Sequence, residues 1–144
     1  MQDQSLDSLL ENLSPRLNRG EFVFCTIGNE SDFNLADSIA AGNVLGTFVE
    51  AEGTTLILPT QTAADAGLHF EAVLGWITLD VDSSLEAVGL TARVATALAD
   101  EGIAANVVAA HFHDHLFVPH KDTDRAMQVL QNLARSAVER RTGK

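Results

Sequence analysis

The sequence predicts an α+β protein made of two ferredoxin-like (βαββαβ) units in tandem, with antiparallel sheets that carry helices on one face. Two observations lead there. Residues 80–119 read as strand, loop, helix, strand, tight turn and strand, the order that opens a ferredoxin-like unit. A shift of sixty residues then lays Leu56-Ile57-Leu58-Pro59 on Leu116-Phe117-Val118-Pro119, each followed by a helical stretch, so one plan occurs twice. The expected units are 1–68, with a leading helix, and 69–144.

Taken in order, residues 5–13 place Leu6, Leu9, Leu10 and Leu13 on one helical face, and Pro15 marks a break after them. The apolar face of this helix is expected to pack on the flank of the first sheet. Residues 21–27 (EFVFCTI) are β-rich and read as the first strand. Two helical turns over 35–41 precede strands at 44–51 and 54–58, joined at Glu52-Gly53 as a hairpin. A short helix over 60–66 stops at Gly67, and 72–80 reads as a strand. For the helix that follows, Ser83 and Glu86 have the spacing of a capping box. Leu85, Val88, Leu90, Val94 and Leu98 supply its apolar face, and Gly102 with Ile103 beyond it is the stop. Residues 103–110 and 116–118 are strands about a His-Asp-His turn, and a last helix runs from about 122 to 139 with Arg140-Arg141 at its end. No segment remains for a fourth strand after that helix. Residues 68–81 must serve both units, or a strand is exchanged between the units or between two copies of the chain.

The whole chain bounds the function classes. Its 144 residues are 46% apolar, enough for a real core, and no run of eighteen apolar residues offers a membrane span. The first residues, MQDQSLDSLLENL, lack the positive charge of an export signal, and Cys25 is the only cysteine. Together these point to a cytoplasmic protein. The formal charge of −11 disfavours nucleic acid as a partner and keeps the surface soluble.

The run Gly89-Leu-Thr-Ala-Arg-Val-Ala-Thr-Ala-Leu-Ala-Asp-Glu-Gly-Ile-Ala-Ala-Asn-Val resembles the signature of the ACT domain. With 83–89 and 113–119 included, the match is to stand-alone bacterial tandem-ACT proteins with no assigned reaction, related to the regulatory domains of aspartate kinases. The resemblance implies a ferredoxin-like fold, binding of a small ligand such as an amino acid, and regulation of a partner enzyme. It also implies a ligand position near the loop after the strand ending at Asp80 and the strand that carries Asn106.

The residues themselves support a site in that loop. A strand end followed by a helix N-terminus offers free N–H groups and a positive dipole end for a carboxylate. Ser83 and Ser84 are placed to hold a carboxylate and Asp80 or Asp82 to receive an ammonium, with Val88 on the loop. Gly89, without a Cβ, permits close approach of a neighbour. The bland alternative is that Ser83 and Glu86 only cap a helix. Glu52-Gly53-Thr54, the equivalent turn of the first unit, is a second candidate, against which stands an ordinary hairpin rich in strand formers.

His111, His113, Asp114, His115 and His120 form a third cluster, of residue types that bind zinc and similar metals. It is one residue short of the His-x-His-x-Asp-His pattern of metallo-hydrolases, and an Asx turn explains Asp114 equally well. His113 is retained as a ligand contact and no metal is assigned. Trp76 and Phe112 read as core or interface aromatics, and Cys25 as a small hydrophobe. No nucleophile triad, phosphate loop or nucleotide fingerprint is visible, so the expectation is a non-enzymatic, homodimeric regulator without a cofactor. Two alternatives stay open: a ligand-free interaction module that assembles through sheet edges, and a metal-dependent enzyme built on the histidine hairpin.

Overall fold

The computed structural model describes residues 5–81 and 86–143. Its elements are α1 (Leu6–Glu11), β1 (Ser14–Ile27), α2 (Leu35–Ala40), β2 (Gly46–Glu50), β3 (Gly53–Pro59), α3 (Thr60–Asp65), β4 (Leu74–Asp80), α4 (Leu90–Asp100), β5 (Asn106–Ala109), β6 (Asp114–Pro119) and α5 (Thr123–Thr142). Two compact units emerge. One is split in sequence, combining the chain up to Arg19 with the chain from Gly75 onward. The other, Gly20–Leu74, is inserted between those parts. This grouping differs from contiguous halves divided at 68/69, because the leading helix belongs with the C-terminal residues.

The split unit has the strand order β1-β4-β6-β5, the ferredoxin-like arrangement. Its fourth strand is the first part of β1. Arg16 lies beside Asp80 and Asn18 beside Thr78, so β1 and β4 run in opposite directions. The sequence places the first strand at 21–27 and a break at Pro15. Proline is tolerated at the start of a strand, and here β1 begins one residue earlier, at Ser14.

Alternation along β4 and β6 sends Ile77, Leu79, Leu116 and Val118 to the helical side, where all are at most 1% exposed. They meet Leu9 and Leu10 of α1, Leu90, Val94 and Leu98 of α4, and Ala126, Leu130 and Ala137 of α5 in one core. The leading helix therefore packs on α5 and α4, not on the flank of the first sheet. Its acids finish the contact, with Arg141 Nε 2.6 Å from Glu11 Oε1 and Arg140 Nη2 3.4 Å from Asp7 Oδ1. At Gly75 a Cβ would come 2.7 Å from Thr123 Oγ1, so glycine is what lets α5 start against β4.

α4 begins later than the sequence suggested. Gly89 is its N-cap residue at φ +99°, a left-handed conformation that cannot continue a helix backward. Glu86 stands in a turn before it, so the capping box is not its start, and Ser83 and Leu85 lie outside the described residues. The stop is as expected: Gly102 has φ +72° and Ile103 N–H donates to Leu98 O at 3.0 Å. The β5–β6 hairpin also differs. Val108 pairs with His115 and Ala109 with Asp114, so the turn spans 110–113 and places Asp114 and His115 in the strand.

The inserted unit holds β1, β3 and β2, with the later part of β1 (Phe22–Ile27) antiparallel to β3. Its core is small: Val23, Cys25, Leu56, Leu58 and Ala63, with Phe33, Leu68, Phe70 and Val73 among the partly buried residues around it. The β2–β3 turn is Ala51-Glu52, since Glu50 already pairs with Gly53. Gly53 is there by necessity. At φ +149° a Cβ would sit 2.7 Å from Ile27 O.

Leu10 is fully buried. Leu10→Ala is expected to cost about 2–5 kcal/mol in urea unfolding, the range for emptying a core leucine site. A loss below about 1 kcal/mol would show that α1 is not part of this core.

Candidate functional site

In the split unit, the residues that alternate with the core positions share the opposite face of the sheet: Arg16 and Asn18 on β1, Trp76, Thr78 and Asp80 on β4, and His115 and Phe117 on β6. They form a continuous polar chain. Arg16 Nε donates to Asp80 Oδ2 at 2.8 Å and Arg16 Nη1 to Asn18 Oδ1 at 3.1 Å. Asn18 Nδ2 donates to Thr78 Oγ1 at 2.9 Å and to the Trp76 carbonyl at 3.3 Å. The Thr78 oxygen lies 3.1 Å from His115 Nδ1, and Trp76 Nε1 donates to that same nitrogen at 2.9 Å. The Trp76 ring stacks on Phe117, with centroids 6.3 Å apart.

This geometry fixes a tautomer. An indole N–H only donates, so His115 Nδ1 must be bare and the ring proton sits on Nε2. Thr78 accepts from Asn18 and has its own hydrogen left for Nδ1. Burial lowers the His115 pKa, and neighbouring His113 adds to the effect. Asp80 is depressed below the ordinary carboxylate range, chiefly by the Arg16 hydrogen bond. His113 Nε2 approaches Asp80 Oδ1 at 3.9 Å, while its Nδ1 is buried with no hydrogen-bond partner among the described residues. The Asp80 corner thus gathers an ionised carboxylate, a guanidinium and an imidazole at the end of β4.

Of the residues expected to bind, the structure brings Asp80 and His113 together. Asp82, Ser83 and Ser84 lie outside the described residues. Val88 is 84% exposed. The space beside Gly89 is occupied by Leu6, whose Cδ2 would lie 3.3 Å from an added Cβ, so its close neighbour is a packing residue of α1. Asn106 donates from Nδ2 to the Phe117 carbonyl at 3.1 Å, across the β5–β6 pair. Glu52, Gly53 and Thr54 belong to the inserted unit, at the β2–β3 hairpin. Asp114 pairs in the ladder instead of making an Asx turn. No group of three metal-binding side chains occurs among the described residues.

Arg16, Asn18 and Thr78 were missed by sequence reasoning, and Trp76 was given only a packing role. The signal was present as a period of two through 76, 78 and 80 and through 113, 115 and 117. Reading Pro15 as a break hid the matching pair on β1.

Profiles of the ACT domain match residues 3–75 and, separately, 71–132. A Vibrio cholerae protein of unknown function, described as a possible transport protein, is 44% identical. That similarity covers 91% of this chain and 97% of the other, with a TM-score of 0.77. The chain belongs to the ACT domain family. Two more distant structures share the fold. An Agrobacterium tumefaciens protein has 15% identity and a TM-score of 0.63, over 85% of this chain and 90% of that one. The ligand-free regulatory subunit of Thermus thermophilus aspartate kinase has 11% identity and a TM-score of 0.59, over 85% and 98%. Comparison with curated proteins gives no match. ACT domains are regulatory, ligand-binding modules, and that general role extends to this protein.

Two pH effects follow from the network. The folded pKa of His115 lies below its ordinary value of 6.5, so the neutral ring stabilises the fold fully above that value. The contribution is lost as pH falls from there through the folded pKa. An NMR titration should find the His115 midpoint below 6.5 and Trp76→Phe should raise it; a midpoint unchanged in the variant would break the tautomer argument. Asp80, also depressed, contributes above its ordinary 3.8 and loses that contribution as pH falls through its folded pKa. Arg16→Ala should therefore bring the carboxylate midpoint back toward 3.8, read from the Asp80 side-chain carbon signal.

Proposed function

We propose that this ACT protein is a regulator that reversibly binds an amino acid at the Asp80 corner of the split unit and passes the binding on to a partner enzyme. One observation carries the reading. Asp80 is held ionised by Arg16, 2.8 Å away, with His113 at 3.9 Å, at the strand end that leads into 82–89. A carboxylate there suits an ammonium group, and the guanidinium beside it suits a carboxylate. Ligand that prefers one arrangement of the protein shifts the population toward it, which is all that regulation of a partner requires. The protein acts as a binder, not a catalyst, and as a homodimer.

A second reading, assembly without a ligand, is favoured by one feature. β2 is an edge strand that exposes Phe48 at 72% and Val49 at 79%, and it carries no charge before Glu50. Such an edge is a template for pairing with a second copy.

Thermal-shift screening of the untagged protein against the twenty amino acids separates the two. One amino acid should raise the transition temperature by mass action, and Asp80→Asn or His113→Ala should abolish the shift. A shift that survives both substitutions would move the site elsewhere. Silence across the panel, with a dimer broken by Phe48→Asp in sedimentation, would leave the assembly reading in its place.

A further inference from the structure

The inserted unit contains a cleft that the Asp80 corner does not use. It has a volume of about 400 Å³ and lies between residues 24–26 of β1 and the irregular segment 69–74. Its origin is topological. A ferredoxin-like sheet places its fourth strand beside the first, on the side away from the third. In this unit β3 occupies one side of β1. The segment that lines the cleft with β1 has no strand structure before Leu74. Chain and strand stand apart there, and the gap opens into the edge of the small core, since Cys25 and Phe70 belong to both.

We infer that this cleft is a binding site for a small aromatic or branched-aliphatic molecule with one polar end. The volume falls in the range of small-molecule sites, roughly 300–1,000 Å³. Phe24, Phe70, Ala72 and Leu74 supply apolar wall. Polar groups are few and lie at one place: His69 and Glu71, 3.8 Å apart and each at least 85% exposed, present a donor and an acceptor side by side at the rim. Thr26 adds a hydroxyl. An apolar body on the walls covers core surface that the five buried residues of the core cluster leave open, and its polar end meets the rim. The dimensions select a small molecule over a peptide strand. Three residues of β1 border the cleft, roughly 10 Å of chain, whereas an added strand normally runs to about five or six residues.

Indole, phenylacetate and isovalerate, titrated separately into the ¹⁵N-labelled full-length protein, test the site. At least one of them should produce saturable amide shifts concentrated at 24–26 and 69–74. Ala72→Trp, which fills the cleft from an exposed position, should remove those shifts. Phe24→Ala, which removes one wall, should weaken binding at least fivefold. Asp80→Asn should change nothing, which separates this site from the amino-acid reading above. Shifts that are absent or unsaturable at those residues for all three probes, or that persist in Ala72→Trp, would overturn the inference.

Discussion

Among the described residues, the split unit closes its sheet with a strand that precedes β4 in sequence and not with one after α5. That constraint orders much of the structure. The open side of β4 is filled from the other end of the chain, by the first residues of β1. Side chains fix the pairing there: Arg16 reaches Asp80 and Asn18 reaches Thr78. Once β1 is anchored, α1, two residues before it, is delivered onto α5, where Leu9 and Leu10 join the core. Gly89 completes the arrangement by leaving room for Leu6. The features that make glycine look like a ligand contact in sequence are used to seat a helix.

The other face of the same sheet is held by hydrogen bonds. Thr78 is 1% exposed, and its hydroxyl is satisfied from both sides by Asn18 and His115. A part-buried polar chain of this kind is favourable when every member is paired and costly when one is not. It fixes the protonation state of His115 and spaces His113 from Asp80. His113 Nδ1 stands outside that satisfaction, buried and without a partner among the described residues, at the edge where the polar chain gives way to the Asp80 corner.

Much of this fold was legible in the residues. The apolar runs of β3, β4 and β6, the stripe of α4, and Gly102 with Ile103 at its end all mark local structure through local chemistry. What was not legible is set at long range. Whether Pro15 ends a helix or enters a strand depends on Asp80 and Thr78, more than sixty residues away. Whether Gly89 opens a helix or sits inside one depends on Leu6. The candidate site was half legible for the same reason: Asp80 and His113 stand out by type and position, whereas Arg16 and Asn18 acquire their roles only when β1 is laid beside β4. The gap between β1 and 69–74 leaves no trace in sequence, because it comes from a strand that does not form.

The division of the chain also sets the order in which its parts can be completed during synthesis. Residues 20–74 are contiguous, so the inserted unit has all its own contacts available before α4 has been made. The split unit is in the opposite position. α1 and the first half of β1 emerge before the inserted unit, yet α5, which covers α1, emerges after it. Contacts that join such distant parts close late and lower the rate of folding. Until α5 arrives, Leu9, Leu10 and Leu13 have no cover from it. α1 is thus a helix that needs shelter while the rest of the split unit is being made.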